Sequence, residues 1–189
     1  MGDYTIVSEI SNAFVKLLQT YLVPEVIQNP EEIALCSPSD KGDAALGIFL
    51  YDIKENDDFR VNEMISSGVN LQKYPSLYLD LYYMITSYST SDIKYRSVEE
   101  QRTIGKVIQI LNDHSAIEEH ILDALNIVSN LDIQVEMLRL DTEEKIKLWS
   151  TPNQPYKLSV FYKISPVELE SLKEKRISRV VDMDFTVKE

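Results

Sequence analysis

The chain is poor in the residues that most chemistry requires. Its 189 residues include one cysteine, Cys36, so no internal disulfide can form. The two histidines, His114 and His120, are six positions apart, which is not the i, i+4 spacing that lets two imidazoles hold one metal on a helix face. Glycine occurs five times, and the run Ser39-Asp40-Lys41-Gly42-Asp43 contains only one. A phosphate cradle needs several free backbone amides opening a helix, and the two aspartates here would repel the anion, so the run reads as a tight turn. Basic residues are outnumbered 19 to 31, the formal charge is −12 and no Lys/Arg patch stands out, which argues against nucleic acid as a partner. No apolar run approaches the ~20 residues that cross a bilayer, so no direct membrane insertion is expected. The N-terminus lacks the basic region and apolar core of a signal peptide, and cytoplasmic synthesis is the expectation.

The remaining reactive combinations are equally thin. A Cys36 nucleophile served by either histidine has no local signature beside it. Asp52, Asp57, Asp58 and Glu63 lack the regular ligand spacing of a calcium loop. No catalytic, cofactor or metal residue is named from the sequence, and a small enzyme is the least favoured class.

What is present is a core and a set of clear periodicities. At 44% hydrophobic the chain is long enough for one ordinary domain, and no internal repeat or Gly/Ser linker divides it. Ile6, Ile10, Phe14, Leu17, Leu18 and Tyr21 recur at helical steps, predicting a helix over Ile6 to Leu22 that Pro24 closes. A short strand is predicted at Ile33 to Cys36 and a mostly buried one at Ala45 to Ile53. The polar run Lys54 to Arg60 reads as a mobile connection that can continue to Lys73. Leu77, Leu79, Leu81, Tyr83 and Ile85 alternate with Tyr78, Asp80, Tyr82, Met84 and Thr86, predicting a strand whose first set faces the core. The second set suits a face covered by a helix or by a neighbouring chain. Ser97 with Glu100 reads as a capping box before a helix whose buried stripe is Ile104, Val107, Ile108 and Leu111 and which ends at Asp113-His114.

Residues Ala116 to Val128 carry helical spacing, with a partly irregular crossing as the alternative. Ile133, Val135 and Met137 mark a half-exposed strand. Asp141 and Glu144 form a second capping box, and Ile146, Leu148 and Trp149 give that short helix a greasy side. Leu158 to Ile164 alternates as a partly solvated or edge strand that Pro166 stops. The fold class is therefore α+β: one domain over 1–166, with a mixed or antiparallel sheet of about four to five strands and helices mainly on one face. A C-terminal arm over 167–189 follows. Within it, Glu168 to Arg176 reads as a solvated spacer with a helical turn or two. Ile177, Val181, Met183, Phe185 and Val187 then read as a strand that pairs with its own sheet or reaches an adjacent subunit.

Acids concentrate in two stretches: nine against three basic residues over Glu31 to Glu63, and nine against one over Asp113 to Glu144. They are solvated surfaces or an acidic rim meeting a basic partner. Trp149, the only tryptophan, is either core or a subunit contact. The interface candidates are Trp149, Tyr78, Tyr82, Asp52, Asp57 and Asp58, with the tail positions Ile177, Val181, Met183, Phe185 and Val187.

Four blocks together carry a family resemblance. The amphipathic opening helix is followed by Ser37-Pro38 leading to Leu46-Gly47-Ile48-Phe49-Leu50-Tyr51 with Glu55-Asn56. Next come Leu77-Tyr78-Leu79-Asp80-Leu81-Tyr82-Tyr83 with Thr86-Ser87-Tyr88, and Gly105-Lys106-Val107-Ile108-Gln109-Ile110-Leu111. The last is LRLDTEEKIKLWSTPNQPYKLSVFYKISPVELE from Leu138 to Glu170. The chain resembles the N-terminal domain of the tail-terminator, or tube-cap, proteins of extracellular contractile injection systems of the antifeeding-prophage type. That resemblance implies a structural ring, a homohexamer, seated on the inner tube protein with the sheath protein docking around it, in a phage-tail-like particle that can leave the cell. It needs no active site, only one face for the tube and one for the neighbouring subunit. A prophage tail or head-completion adaptor is the alternative.

Overall fold

The computed structural model describes residues 4–60, 63–66, 70–129, 131–150 and 155–176. Helix α1 (Ile6–Leu22) forms where its apolar residues return every three or four positions, and Ile10, Phe14, Leu17 and Leu18 are fully buried along that stripe. Pro24, without an N–H, follows its C-terminus. The chain then builds β1 (Ile33–Leu35), β2 (Leu46–Glu55), the short pair β3 (Ile65–Ser66) and β4 (Leu71–Lys73), and the long β5 (Leu77–Ser87). Helices α2 (Ile93–Asp113) and α3 (Glu119–Ala124) precede β6 (Gln134–Met137), and α4 (Thr142–Leu148) leads to β7 (Ser159–Leu169) and β8 (Glu174–Arg176).

The main sheet has five strands in the order β1-β2-β5-β7-β6. Only β1 and β2 run parallel; the other neighbours are antiparallel, so the sheet is mixed. A separate three-stranded sheet has the order β3-β4-β8. Helices α1, α2 and α3 cover one face of the main sheet. Ile10, Phe14 and Leu17 of α1, with Val107 and Leu111 of α2 and Ile121 of α3, share one core with Leu46, Ile48, Leu81, Tyr83, Ile85 and Ile164. Inside it the hydroxyls of Ser11 and Tyr83 lie 2.7 Å apart, giving the buried phenol a partner, and the Phe14 and Tyr83 rings tilt together at 5.3 Å.

The α+β architecture, α1, β1, β2, β5 and the Asp141–Glu144 capping box match the sequence reading; Asp141 accepts from the Glu144 N–H at 2.8 Å and Glu144 from the Asp141 N–H at 3.1 Å. Several expectations are corrected. The run Lys54 to Arg60 is not a loose connection: β2 continues to Glu55, and Asn56, only 7% exposed, accepts from the N–H groups of Asp58 and Phe59 to cap a one-turn 3-10 helix at Asp57–Phe59. Its amide donates to Asp80 at 2.7 Å and to Ser165 at 2.9 Å, which anchors the turn across three strands. Helix α2 begins at Ile93, a turn before Ser97, and Glu100 is not a cap but the partner of Lys157 at 3.0 Å. Helical structure between 116 and 128 is confined to α3; Ala116 instead bridges Gln134, and Val128 is exposed. Ile146 lies on the solvent side of α4.

The largest correction concerns β7. It is central, paired on both sides by β5 and β6, and runs through Pro166 to Leu169 with Val167 fully buried. Pro166 does not stop it because the β5 register shifts between Leu79 and Leu81, and the β6 ladder ends at Ser165, so no strand bond is demanded of the missing N–H. Residues 174–176 form β8 against β4 rather than a helical spacer. The tail positions Ile177, Val181, Met183, Phe185 and Val187 lie outside the described residues.

Candidate functional site

The face of the main sheet turned away from α1 and α2 carries the sequence candidates. Alternation along β5 puts Tyr78, Asp80, Tyr82 and Met84 there, and cross-strand pairing adds Phe49, Lys54, Phe161 and Lys163 from β2 and β7. Part of this face is closed. Trp149, delivered by α4, is buried with Met84, Tyr88 and Phe161, and Phe49, Tyr51, Leu138, Leu140 and Leu148 close around them. The capped helix is what positions the indole: its first turn is pinned at Asp141, and Trp149 is its C-terminal cap residue. The indole Nε1–H is buried with no acceptor among the described residues.

The rest of the face is open. Tyr82 and Tyr78 are half-buried; Tyr51 tilts toward Tyr82 at 6.2 Å, and Phe59 tilts onto Tyr78 at 5.6 Å. Lys54 lies over the Tyr82 ring at 4.9 Å and pairs with Asp52 at 3.5 Å, while Lys163 pairs with Glu136 at 3.1 Å. Between α4 and the strands runs a groove of about 290 Å³ lined by Tyr51, Tyr82, Leu138, Leu140 and Leu148, with Asp52, Lys54, Glu144 and Lys147 at its rim.

Burial pushes the Tyr51 phenol up to about 12, with Asp52 adding to the effect. Burial and then Asp80 raise Tyr82 against the opposing pull of Lys54 and Lys163, and burial and then Glu168 raise Tyr78. Burial alone would lower Lys163, but its bond to Glu136 and the nearby Asp80 carry it upward. These phenols stay protonated at neutral pH, so the face offers hydroxyl donors, ring surfaces and a fixed ammonium. That inventory suits contact with another protein surface.

The structure brings Tyr82 and Asp52 to one groove, buries Trp149 in the cluster next to it, where its exposed edge instead meets the Pro38–Gly42 turn, Tyr88 and Lys157, and places Tyr78 farther down the same face. Asp57 and Asp58 occupy the turn beside Phe59, whose ring meets Tyr78, at the far end. The sequence reading missed two constellations. One is the Asn56–Asp80–Ser165 network, in which the Ser165 hydroxyl also donates to Asp80; its only linear trace is the Glu55-Asn56 pair after β2. The other joins both histidines to one carboxylate, His114 Nδ1 at 2.6 Å and His120 Nδ1 at 3.1 Å from Glu118, which also accepts from the Tyr21 hydroxyl at 2.7 Å. No spacing rule reveals a hub formed at the end of α1 and the α2–α3 turn. Cys36 lies beside Gly47 and Tyr88, its thiol pushed up by burial.

Residues 9–182 match the family model described as the Pvc16 N-terminal domain. The chain belongs to the Pvc16 N-terminal domain family. Among solved structures it is similar to the PVC sheath/tube terminator of an extracellular contractile injection system in the extended state. That match has a TM-score of 0.66 and 16% identity, and covers 100% of this chain and 65% of that one. It is also similar to the tube-terminating cap of the anti-feeding prophage, with a TM-score of 0.64 and 21% identity over 94% of this chain and 60% of that one. At these identities the two structures show a shared fold and no more. The chain spans under two thirds of each solved relative's length. No curated protein matches it.

Proposed function

We propose that this chain is a structural cap that ends the inner tube of a phage-tail-like contractile injection system, acting as a closed ring with no catalytic step. The observation that carries this reading is the family match over residues 9–182, joined to a fold similar to two tube-terminating proteins. The aromatic sheet face supports it, because a half-buried surface of Tyr51, Tyr78 and Tyr82 has the composition of an interface rather than of a reaction centre. In this reading the ring is sixfold, Tyr82, Asp52 and the groove beside α4 meet a neighbour, and Asp57 and Asp58 meet basic groups on tube or sheath subunits. The tail positions from Ile177 to Val187 reach an adjacent subunit.

The test is electron-microscopic imaging of the purified chain alone and with its tube protein. Rings on tube ends are the expected outcome; tubes that keep growing in the presence of excess chain would refute the cap. Deleting residues 177–189 should leave the domain folded and remove association, whereas loss of folding would assign the tail to its own core.

A further inference from the structure

The small sheet β3-β4-β8 has almost no core. Every residue of β3 and β8 is exposed, and β4 is only half-buried. Such a sheet has little burial with which to offset the entropy of ordering its strands. It presents Ile65 at 53% exposure, and Leu172, two residues before β8, is 89% exposed. Its strands carry Lys73, Lys175 and Arg176 against one acid, Glu174, and Lys173 stands just before β8, so the sheet is net basic in a chain whose net charge is −12. Lys173 covers the Tyr74 ring at 4.5 Å. Among the described residues none of these four cations forms an ion pair.

A complementary surface lies elsewhere on the same molecule. Between Lys106 and Arg139 there is no lysine or arginine, and the α2–α3–β6 connections expose Asp113, Glu119, Asp123 and Asp132. The other acids there are engaged, Glu118 by the two histidines and Glu136 by Lys163, but these four have no ion-pair partner among the described residues. Val128, 71% exposed, stands among them as an apolar contact point.

We infer that the basic sheet β3-β4-β8 of one copy docks on the acidic α3 surface of a second copy of this chain. The two patches are different surfaces, so the contact is head-to-tail and must either close a ring or run on as a filament. Closure rests on the ring reading above; the contact itself rests on the charges and exposed apolar side chains. Opposed unpaired charges of this kind set orientation and partner choice more than raw affinity, and they are screened over about 10 Å at 0.1 M salt.

A charge swap on the full chain tests it. K175E/R176E leaves the Lys173–Tyr74 contact in place and makes β8, with Glu174, a run of three glutamates that outweighs Lys73 and Lys173; D113K/D123K/D132K leaves only Glu119 of the four acids and turns the α3 surface basic. All five positions are exposed, and a circular dichroism melt verifies that each variant is folded. By analytical ultracentrifugation each variant alone should self-associate about tenfold more weakly than the parent, because like charges then face one another. An equimolar mixture should recover parental association, since every contact in an alternating assembly is again complementary. Parental self-association of either variant alone, or no recovery on mixing, overturns the contact while leaving a ring built through other surfaces intact. A parent chain that stays monomeric at every concentration and salt overturns the contact, and the ring reading fails with it.

Discussion

Replacing Trp149 with alanine should unfold the chain at markedly lower temperature, because the indole fills the cluster that closes the second sheet face. Trp149 is 4% exposed and sits against Met84, Tyr88 and Phe161, with an edge-on contact to Tyr156 at 6.2 Å. A buried aromatic removes roughly 150–250 Å² from water, which at about 25 cal/mol per Å² amounts to roughly 4–6 kcal/mol. Part of the void relaxes, and large-to-small aromatic substitutions cost about 3–5 kcal/mol, so about 4 kcal/mol is the working value. For a chain of this size that lowers Tm by about 8–16 °C. Trp149→Phe should behave differently. It gives up some packing but also removes an Nε1–H that is buried without an acceptor among the described residues. A buried unmet donor costs about 1–3 kcal/mol, so the phenylalanine variant should stay within about 1.5 kcal/mol of the parent. The assay is urea unfolding followed by far-UV circular dichroism, at a dilution where the chain is monomeric. If Trp149→Ala costs under about 1 kcal/mol while ring formation disappears, the indole works in a subunit contact and the packing argument is wrong.

Asn56→Ala should cost about 2–3 kcal/mol, since it strips the cap from the Asp57–Phe59 turn and leaves Asp80 with one donor fewer; chemical denaturation reads it, and an unchanged midpoint would mean the turn is held by other contacts. Gly47→Ala should destabilise by about 1–3 kcal/mol, because a Cβ there would stand 2.9 Å from both the Cys36 Sγ and the Tyr88 ring; a neutral melt would show that these side chains move aside freely. Stability should fall as pH climbs from 10 toward 12. Unfolded tyrosines release their protons near 10.0, while burial holds Tyr51, Tyr83, Tyr88 and Tyr162 protonated to about 12, so the unfolded state binds fewer protons through that window. Urea midpoints between pH 8 and 11.5 with parallel tyrosinate absorbance check this, and a flat profile would contradict it.

What the sequence by itself determined are the features written in local periodicity. The three- and four-residue steps from Ile6 to Leu22 can bury one stripe only as a helix, and the alternation of Leu79, Leu81, Tyr83 and Ile85 can bury one face only as a strand. The Asp141–Glu144 box satisfies amides within four residues, so it too is legible without partners. The candidate face was half legible: parity put Tyr78 and Tyr82 together, but not which strands would flank them. Only the tertiary structure decided that β7 is central, because Lys163 looks like a solvent position until Glu136 of β6 is brought beside it. The same holds for Asn56, whose polar run looks mobile until Asp80 and Ser165, 24 and 109 residues away, supply its partners. It holds again for Glu118, which joins Tyr21 to two histidines only once α1 lies beside the α2–α3 turn. Propensity and pattern act over a few residues, whereas strand order, register shifts and polar hubs are settled by which distant segments can share a core.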